Sequence, residues 1–453
     1  MSGPGDADGG AVARVEETLR RIEAARHLNA ATTLLAERAL ARAAALDRAG
    51  ASGAAPGPLQ GVPFVAKNLF DVAGVVTRAG SAATAGDRPA QTDAFAIAAL
   101  ERAGAVLVAL TNMDELAYGF TGENGPDGDT LNPRDASRIS GGSSSGSAAL
   151  VGAGVVDLAL GSDTNGSIRV PSALCGAFGL KATYGRLSRG GAYPFVASLD
   201  HVGPIAATPE LLAAAYDALQ GADPVDPVQA ARDVEPATPQ LGAGVAGLRV
   251  GILGGYFAGP LDPDAGDALA AAAAILGASE AAELRLAEAG RAAAFVITTS
   301  EAGHLHRAAL SRDPEAFGPL VRDRLAAGAL TPAAWYLAAQ KLRRRLAEEL
   351  TALFARFDLL LAPAVPCVAP LRGAETITVQ DRTLPMRLAV GMYTHPLTPA
   401  GVPVGVAPRA ARGGLSVGVQ VVAPPWHEVR VLRALAALEA AGFSRSDRME
   451  ITR

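Results

Sequence analysis

Lysine is the scarcest charged residue of this 453-residue chain. Of forty Lys and Arg positions only Lys67, Lys181 and Lys341 are lysine, and forty minus three leaves thirty-seven arginines. Arginine does not lose its proton in a protein, whereas a desolvated lysine does. A lysine retained against such a bias is a candidate for proton chemistry. Cysteine is almost absent as well. Cys175 and Cys367 are the two present, which leaves no disulfide framework and no zinc-ligand spacing. No metal and no cofactor are expected. Aromatics make up only 5% of the chain.

Basic clusters are missing too. The net charge is −5 and the longest basic run is Arg343-Arg344-Arg345, which falls in a helical pattern. Direct nucleic-acid binding is not expected, because neutralising phosphates needs a basic surface. Every Ala-rich stretch is interrupted by charge, Gly or Pro before reaching membrane length, so no membrane contact is expected. Met1–Gly10 has no apolar targeting core, and a cytoplasmic location is expected.

What is present is apolar material, 49% of residues, enough to build a large core. Val12, Val15, Leu19 and Ile22 fall at helical steps within 11–49. Apolar runs at 61–67, 106–110, 155–160, 248–253, 357–361 and 415–422 read as strands. Helical patterns cover 93–103, 299–352 and 427–441. This alternation predicts an α/β fold with a mixed central β-sheet covered by helices on both faces. Residues 222–246 read as a surface connection. The expected organisation is a tail at 1–10, a helical segment at 11–55, one main domain at 56–443 and a tail at 444–453.

The run Gly61-Val62-Pro63-Phe64-Val65-Ala66-Lys67 reads as a buried strand delivering an amine to the interior. The most unusual composition lies further on. Ser140-Gly141-Gly142-Ser143-Ser144-Ser145-Gly146-Ser147 precedes an Ala-rich helix. Gly161-Ser162-Asp163-Thr164-Asn165-Gly166-Ser167-Ile168-Arg169-Val170-Pro171 follows the next strand. Small residues at a helix start allow backbone to approach a ligand, and free N–H groups there suit an oxyanion. No Gly-Lys-Ser/Thr follows for a phosphate loop, and the glycine spacing does not fit a dinucleotide fingerprint. A nucleophile elbow, Gly142-Ser143-Ser144-Ser145-Gly146, is formally present but needs a histidine and an acid. A serine–serine–lysine relay has its three parts in Lys67, the serine run and Ser167, since a hydroxyl both donates and accepts.

The segment 141–171 resembles the signature of the amidase signature family. The resemblance extends to Lys67-Asn68, to Asn112-Met113-Asp114-Glu115-Leu116-Ala117-Tyr118-Gly119, to Gly179-Leu180-Lys181 and to Ser198-Leu199-Asp200-His201-Val202-Gly203-Pro204. It implies the amidase-signature fold and hydrolysis of an amide C–N bond through an acyl-enzyme. It makes Lys67 the catalytic lysine, Ser143 the bridging serine after a cis peptide, and Ser167 the nucleophile. The backbone N–H groups of Thr164, Asn165, Gly166 and Ser167 would form the oxyanion hole. Asp163, Arg169 and Ser144 would hold this loop without reacting, and Lys181 would pack.

Two subgroups are especially similar: the 1-carboxybiuret hydrolase catalytic subunits and the A subunits of tRNA-dependent amidotransferases. They imply a small urea-like substrate in the first case and glutamine in the second. By the same resemblance Arg324, in Val321-Arg322-Asp323-Arg324-Leu325, would hold a substrate carboxylate, with Tyr118 beside it. A small helical subunit of the C type and a dimeric catalytic core are the implied partners. Glu123-Asn124-Gly125-Pro126-Asp127-Gly128 departs from the family's usual Glu-Asn-x-His-Tyr-Gly, which leaves the substrate less defined than the reaction.

Overall fold

The computed structural model describes residues 10–444. The expected tails fall outside these residues except for Gly10 and Ser444. Strands occur at β1 (Ala31–Leu34), β2 (Pro63–Lys67), β3 (Val106–Thr111), β4 (Leu158–Asp163), β5 (Phe178–Lys181) and β6 (His201–Ala206). Further along come β7 (Val250–Leu253), β8 (Glu280–Ala282), β9 (Leu359–Pro363), a hairpin of β10 (Thr376–Val379) and β11 (Arg382–Pro385), β12 (Val404–Ala410) and β13 (Ser416–Val422). Eleven of them form one mixed sheet in the order β1-β3-β2-β4-β6-β5-β12-β13-β9-β7-β8. β2 runs parallel to both β3 and β4, whereas β4, β6, β5, β12, β13 and β9 are joined by antiparallel ladders.

Every residue of β3 and β4 is buried. A strand with both faces covered has no solvent face and so reads as a continuous apolar run. The helix Ser145–Gly152 and the short helix Arg169–Cys175 are likewise buried along their whole length. This is why the Ser-Gly-Ala segment carries almost no charge until Asp163. The expected α/β architecture is therefore present.

Three expectations shift in detail. The helical pattern at 11–49 contains two helices, Ala11–Ala24 and Ala36–Ala51, with edge strand β1 between them. The strand expected at 155–160 starts only at Leu158. Gly154 is left-handed at φ 70°, and the N–H of Val155 caps the preceding helix by bonding Leu150 O. Gly161, Ser162 and Asp163 are consequently strand residues. The helical region around 299–352 comprises three helices, Ala287–Arg312, Pro319–Ala329 and Ala333–Phe354. The first two also wall the cavity described next.

Candidate active site

Lys67 is the last residue of β2 and is fully buried. Its Nζ bonds Ser143 Oγ at 2.7 Å and Ser162 Oγ at 2.9 Å. Burial pulls the amine down from its usual range to about 7, against the opposing charges of Asp114, Asp163 and Asp200. An amine held there exchanges its proton near neutral pH. Ser143 follows a cis peptide bond with Gly142, and two residues on Ser145 opens the helix Ser145–Gly152.

Ser144 points elsewhere. Its Oγ donates to Ser162 O at 3.1 Å and accepts from Ser162 N at 3.2 Å, while its N–H bonds Ser167 O at 3.1 Å. It thus ties the serine run to β4 and to the Ser167 turn, and its hydroxyl has no histidine among its partners.

The turn after β4 carries Thr164, Asn165, Gly166 and Ser167. Asp163 Oδ2 accepts the N–H groups of Ile168 and Arg169 at 3.2 and 3.4 Å. The N–H groups of Asn165, Gly166 and Ser167 meet no protein acceptor among the described residues, which leaves them available to an oxyanion. Thr164 donates its hydroxyl to Asp200 at 2.6 Å, and Asn165 Nδ2 bonds Thr298 at 2.8 Å. The turn passes so close to Thr394 that a Cβ at Gly166 would lie 2.1 Å from Thr394 Oγ1, and its φ is +144°. Only glycine suits that position.

Asp163 and Arg169 clamp this turn. Arg169 Nε and Nη2 reach the two carboxylate oxygens at 2.9 and 3.0 Å, with both residues fully buried. Arg169 spends its remaining donors on Thr394 O, Gln420 and Thr398. Burial alone would raise the Asp163 carboxyl, but the adjacent guanidinium outweighs it and holds the group below the usual carboxylate range. Lys181 is also fully buried, bonding Val402 O at 2.6 Å and His201 Nε2 at 3.3 Å. Its environment is that of a packed core residue.

Ser167 opens onto a cavity of about 360 Å³, with Thr164 and Asn165 on its floor. Tyr118 and Arg324 face each other in its wall. The guanidinium carbon lies 4.1 Å from the ring centre, and Arg324 Nη2 donates to Tyr118 O at 2.6 Å. Arg324 Nε is used by Leu320 O, while Nη1 has no protein partner among the described residues. Burial raises the Tyr118 hydroxyl to about 12, and that hydroxyl has no hydrogen-bond partner. That hydroxyl is sealed from the cavity, so the free arm of the Arg324 fork, braced on the Tyr118 ring, is what suits a carboxylate.

The structure brings Lys67 to Ser143 and sets Ser167, Thr164, Asn165, Tyr118 and Arg324 around one cavity. The two groups are joined through Ser144, whose N–H bonds Ser167 O, and no hydrogen bond links Ser143 Oγ to Ser167 Oγ among the described residues. Several others join them. Ser162 is the second partner of Lys67. Asp114 is buried beside it, accepts N–H bonds from Thr121 and Gly122 at 3.1 and 2.9 Å, and is raised by burial to about 6. Both lie inside motifs visible in the sequence, so the signal for them was there. Thr394 and His395, which reach the site from more than 200 residues away, belong to no motif.

The family model described as Amidase matches residues 13–432. The chain is 51% identical over 397 residues to AtzE, the 1-carboxybiuret hydrolase polypeptide of Pseudomonas sp. (strain ADP), covering 87% of each chain. It is 36% identical over 413 residues to the A chain of the glutamyl-tRNA(Gln) amidotransferase of Koribacter versatilis (strain Ellin345), covering 84% of this chain and 85% of that one. Among solved structures, the inhibitor-bound form of a vestigial protein complex that bears on the origins of an s-triazine catabolic enzyme superposes with a TM-score of 0.96. It is 49% identical, with 97% of both chains covered. A bacterial aryl acylamidase superposes with a TM-score of 0.89 at 26% identity, covering 98% of this chain and 95% of that one.

Proposed function

The chain belongs to the amidase family and hydrolyses amide C–N bonds, and from that premise we propose that its substrate is a small urea-like acid of the 1-carboxybiuret type, cleaved by a Ser167–Ser143–Lys67 relay. The carrying observation is the 2.7 Å contact between Ser143 Oγ and a buried lysine amine held near 7.

In this scheme Ser167 Oγ attacks the carbonyl carbon while its proton passes to Ser143 Oγ and the Ser143 proton to Lys67 Nζ. The oxyanion is received by the N–H groups of the 164–167 turn. The C–N bond then breaks, the nitrogen leaves with a proton returned through Ser143, and an acyl group remains on Ser167. Water enters, gives its proton to the same relay and releases the acid. Asp163 and Arg169 keep the turn in place throughout. Arg324 holds the substrate carboxylate, with Tyr118 bracing its guanidinium.

Similarity to the A chains of the amidotransferases supports a second substrate, glutamine, because the same arginine fork would hold its α-carboxylate. Mass spectrometry of the products from 1-carboxybiuret and from free glutamine separates the two. Faster turnover of glutamine would overturn the first reading. AtzE is one component of its hydrolase and the superposed structure is a complex, which supports a partner chain; a small helical partner of the C type and a dimeric catalytic core complete the proposal. Direct contact with nucleic acid is not part of this scheme. Among the described residues no helix is long and apolar enough to cross a membrane. Expression of the chain alone and with a neighbouring small open reading frame tests the partner: a monodisperse, fully active lone chain would remove it.

A further inference from the structure

Besides Thr298, Thr299, Asp323 and Arg387, a further polar group in the cavity wall has no part in the relay or the carboxylate clamp. His395 lines the same cavity as Ser167, Asn165 and Phe120. Its neighbour Thr394 bonds Asn165 O at 2.7 Å, so the segment is fastened to the oxyanion turn. His395 Nδ1 lies 2.7 Å from Gly391 O. A carbonyl only accepts, so Nδ1 carries the hydrogen, and burial holds the imidazole down to about 4, which keeps it neutral at working pH. The other ring nitrogen, Nε2, is then a lone-pair acceptor. It has no protein partner among the described residues, yet it is not among the sealed, unpartnered polar atoms. The ring is also braced edge-on against Phe120, with centroids 4.9 Å apart.

We propose that His395 Nε2 accepts a hydrogen bond from a substrate N–H and so selects ureido and primary-amide substrates over N-alkylated or ester analogues. The inference rests on the substrate reading given above. Every other group assigned to the substrate there is a donor: the turn N–H groups and the Arg324 fork. A urea-like acid carries its own donors, and without an acceptor they would lose water on binding with nothing in return. A site that pairs a substrate N–H discriminates sharply against an analogue lacking it.

The test compares kcat/KM for a ureido acid and for its N-methylated analogue, in the wild type, His395→Leu and His395→Gln. The N–H preference of the wild type is expected to fall roughly tenfold or more in His395→Leu, the range of a lost buried hydrogen bond. It should return in part in His395→Gln, whose amide oxygen can accept. A preference unchanged in His395→Leu overturns the proposal. A second measurement needs no His395 variant. Histidine-labelled Ser167→Ala protein should show the Nδ1–H tautomer by ¹⁵N NMR, and the Nε2 resonance should move with the ureido acid but not with the N-methylated one. Equal movement with both also overturns it. If the wild type cleaves no ureido acid at all, the substrate reading fails instead, and labelling of Ser167 by a fluorophosphonate shows whether the site itself is competent.

Discussion

The Asp114 carboxylate fills the space that a side chain on Gly142 would need: a Cβ there would lie 2.0 Å from Asp114 Oδ1. The same carboxylate blocks a Cβ at Gly119, also at 2.0 Å. Asp114 is thus wedged between two glycines and fixed by two N–H groups, directly beside the peptide that leads into Ser143. Gly142→Ala has to move either Asp114 or Ser143. A displacement of that order costs about a hundredfold in rate where geometry is critical. We expect kcat to fall by at least about that factor while circular dichroism still reports a folded chain. Retention of activity within a few fold would show that the packing has slack.

Asp114 also bears on the base. Its negative charge favours the ammonium form of Lys67, and burial of Lys67 opposes it more strongly. Only the neutral amine accepts a proton, so kcat/KM should rise with pH and level off above an inflection near 7. Removing the charge in Asp114→Asn lowers the Lys67 value further, so the acidic limb should move to lower pH. A shift to higher pH would contradict the assignment. Lys67→Arg keeps the charge but offers no base, and a loss of about 10²–10⁴-fold is expected.

The three neighbouring serines should separate cleanly. Ser167→Ala should abolish both the acyl-enzyme and labelling by a fluorophosphonate. Ser143→Ala should leave the Ser167 hydroxyl in place but lower its reactivity, so labelling slows without vanishing. Ser144→Ala removes two bonds to the Ser162 backbone. It should cost about 1–3 kcal/mol of stability, seen as a lower Tm, with Ser167 still labelled. Labelling of Ser144 in the wild type would instead support an elbow nucleophile.

Lys67 and the two serine-rich segments were legible in the sequence because the chemistry is compressed into short stretches, whereas the separate roles of Ser143, Ser144 and Ser167 came from the resemblance to the family. Lys67 ends an apolar run, and Ser143 and Ser167 bracket a single strand. The strands β3, β9 and β13 were legible for a related reason, as continuous buried runs. β6 was not, because Pro204 interrupts it and proline argues against a central strand. The structure accommodates Pro204 since β5 pairs only with Ile205 and Ala206, so no donor is needed from residue 204 on that side. β5 itself is four residues with a glycine and a lysine, too short for any period to emerge. Thr394 and His395 were invisible for another reason. They approach the Ser167 turn through a loop fastened by Arg169 and Gln420, and no local pattern encodes a contact made across more than 200 residues.

The clamp on the substrate carboxylate is open to a direct test. Arg324 already spends Nε and Nη2 on Leu320 O and Tyr118 O, so part of its task is to hold the cavity wall. Its Nη1 is what remains for a ligand, since the Tyr118 hydroxyl is sealed from the cavity. A charged hydrogen bond of this kind contributes about 1.5–3 kcal/mol, so Arg324→Ala should raise KM for a carboxylated substrate roughly ten- to hundredfold. The effect on a neutral amide of the same size should be several times smaller, because that substrate never used the fork. Arg324→Lys should resemble alanine more than arginine, since an ammonium cannot span the planar pair of contacts. Tyr118→Phe should leave KM for the acid within a few fold, its ring remaining to support the guanidinium. Equal losses on the acid and the neutral amide, with a matching fall in Tm, would show instead that Arg324 only props the wall.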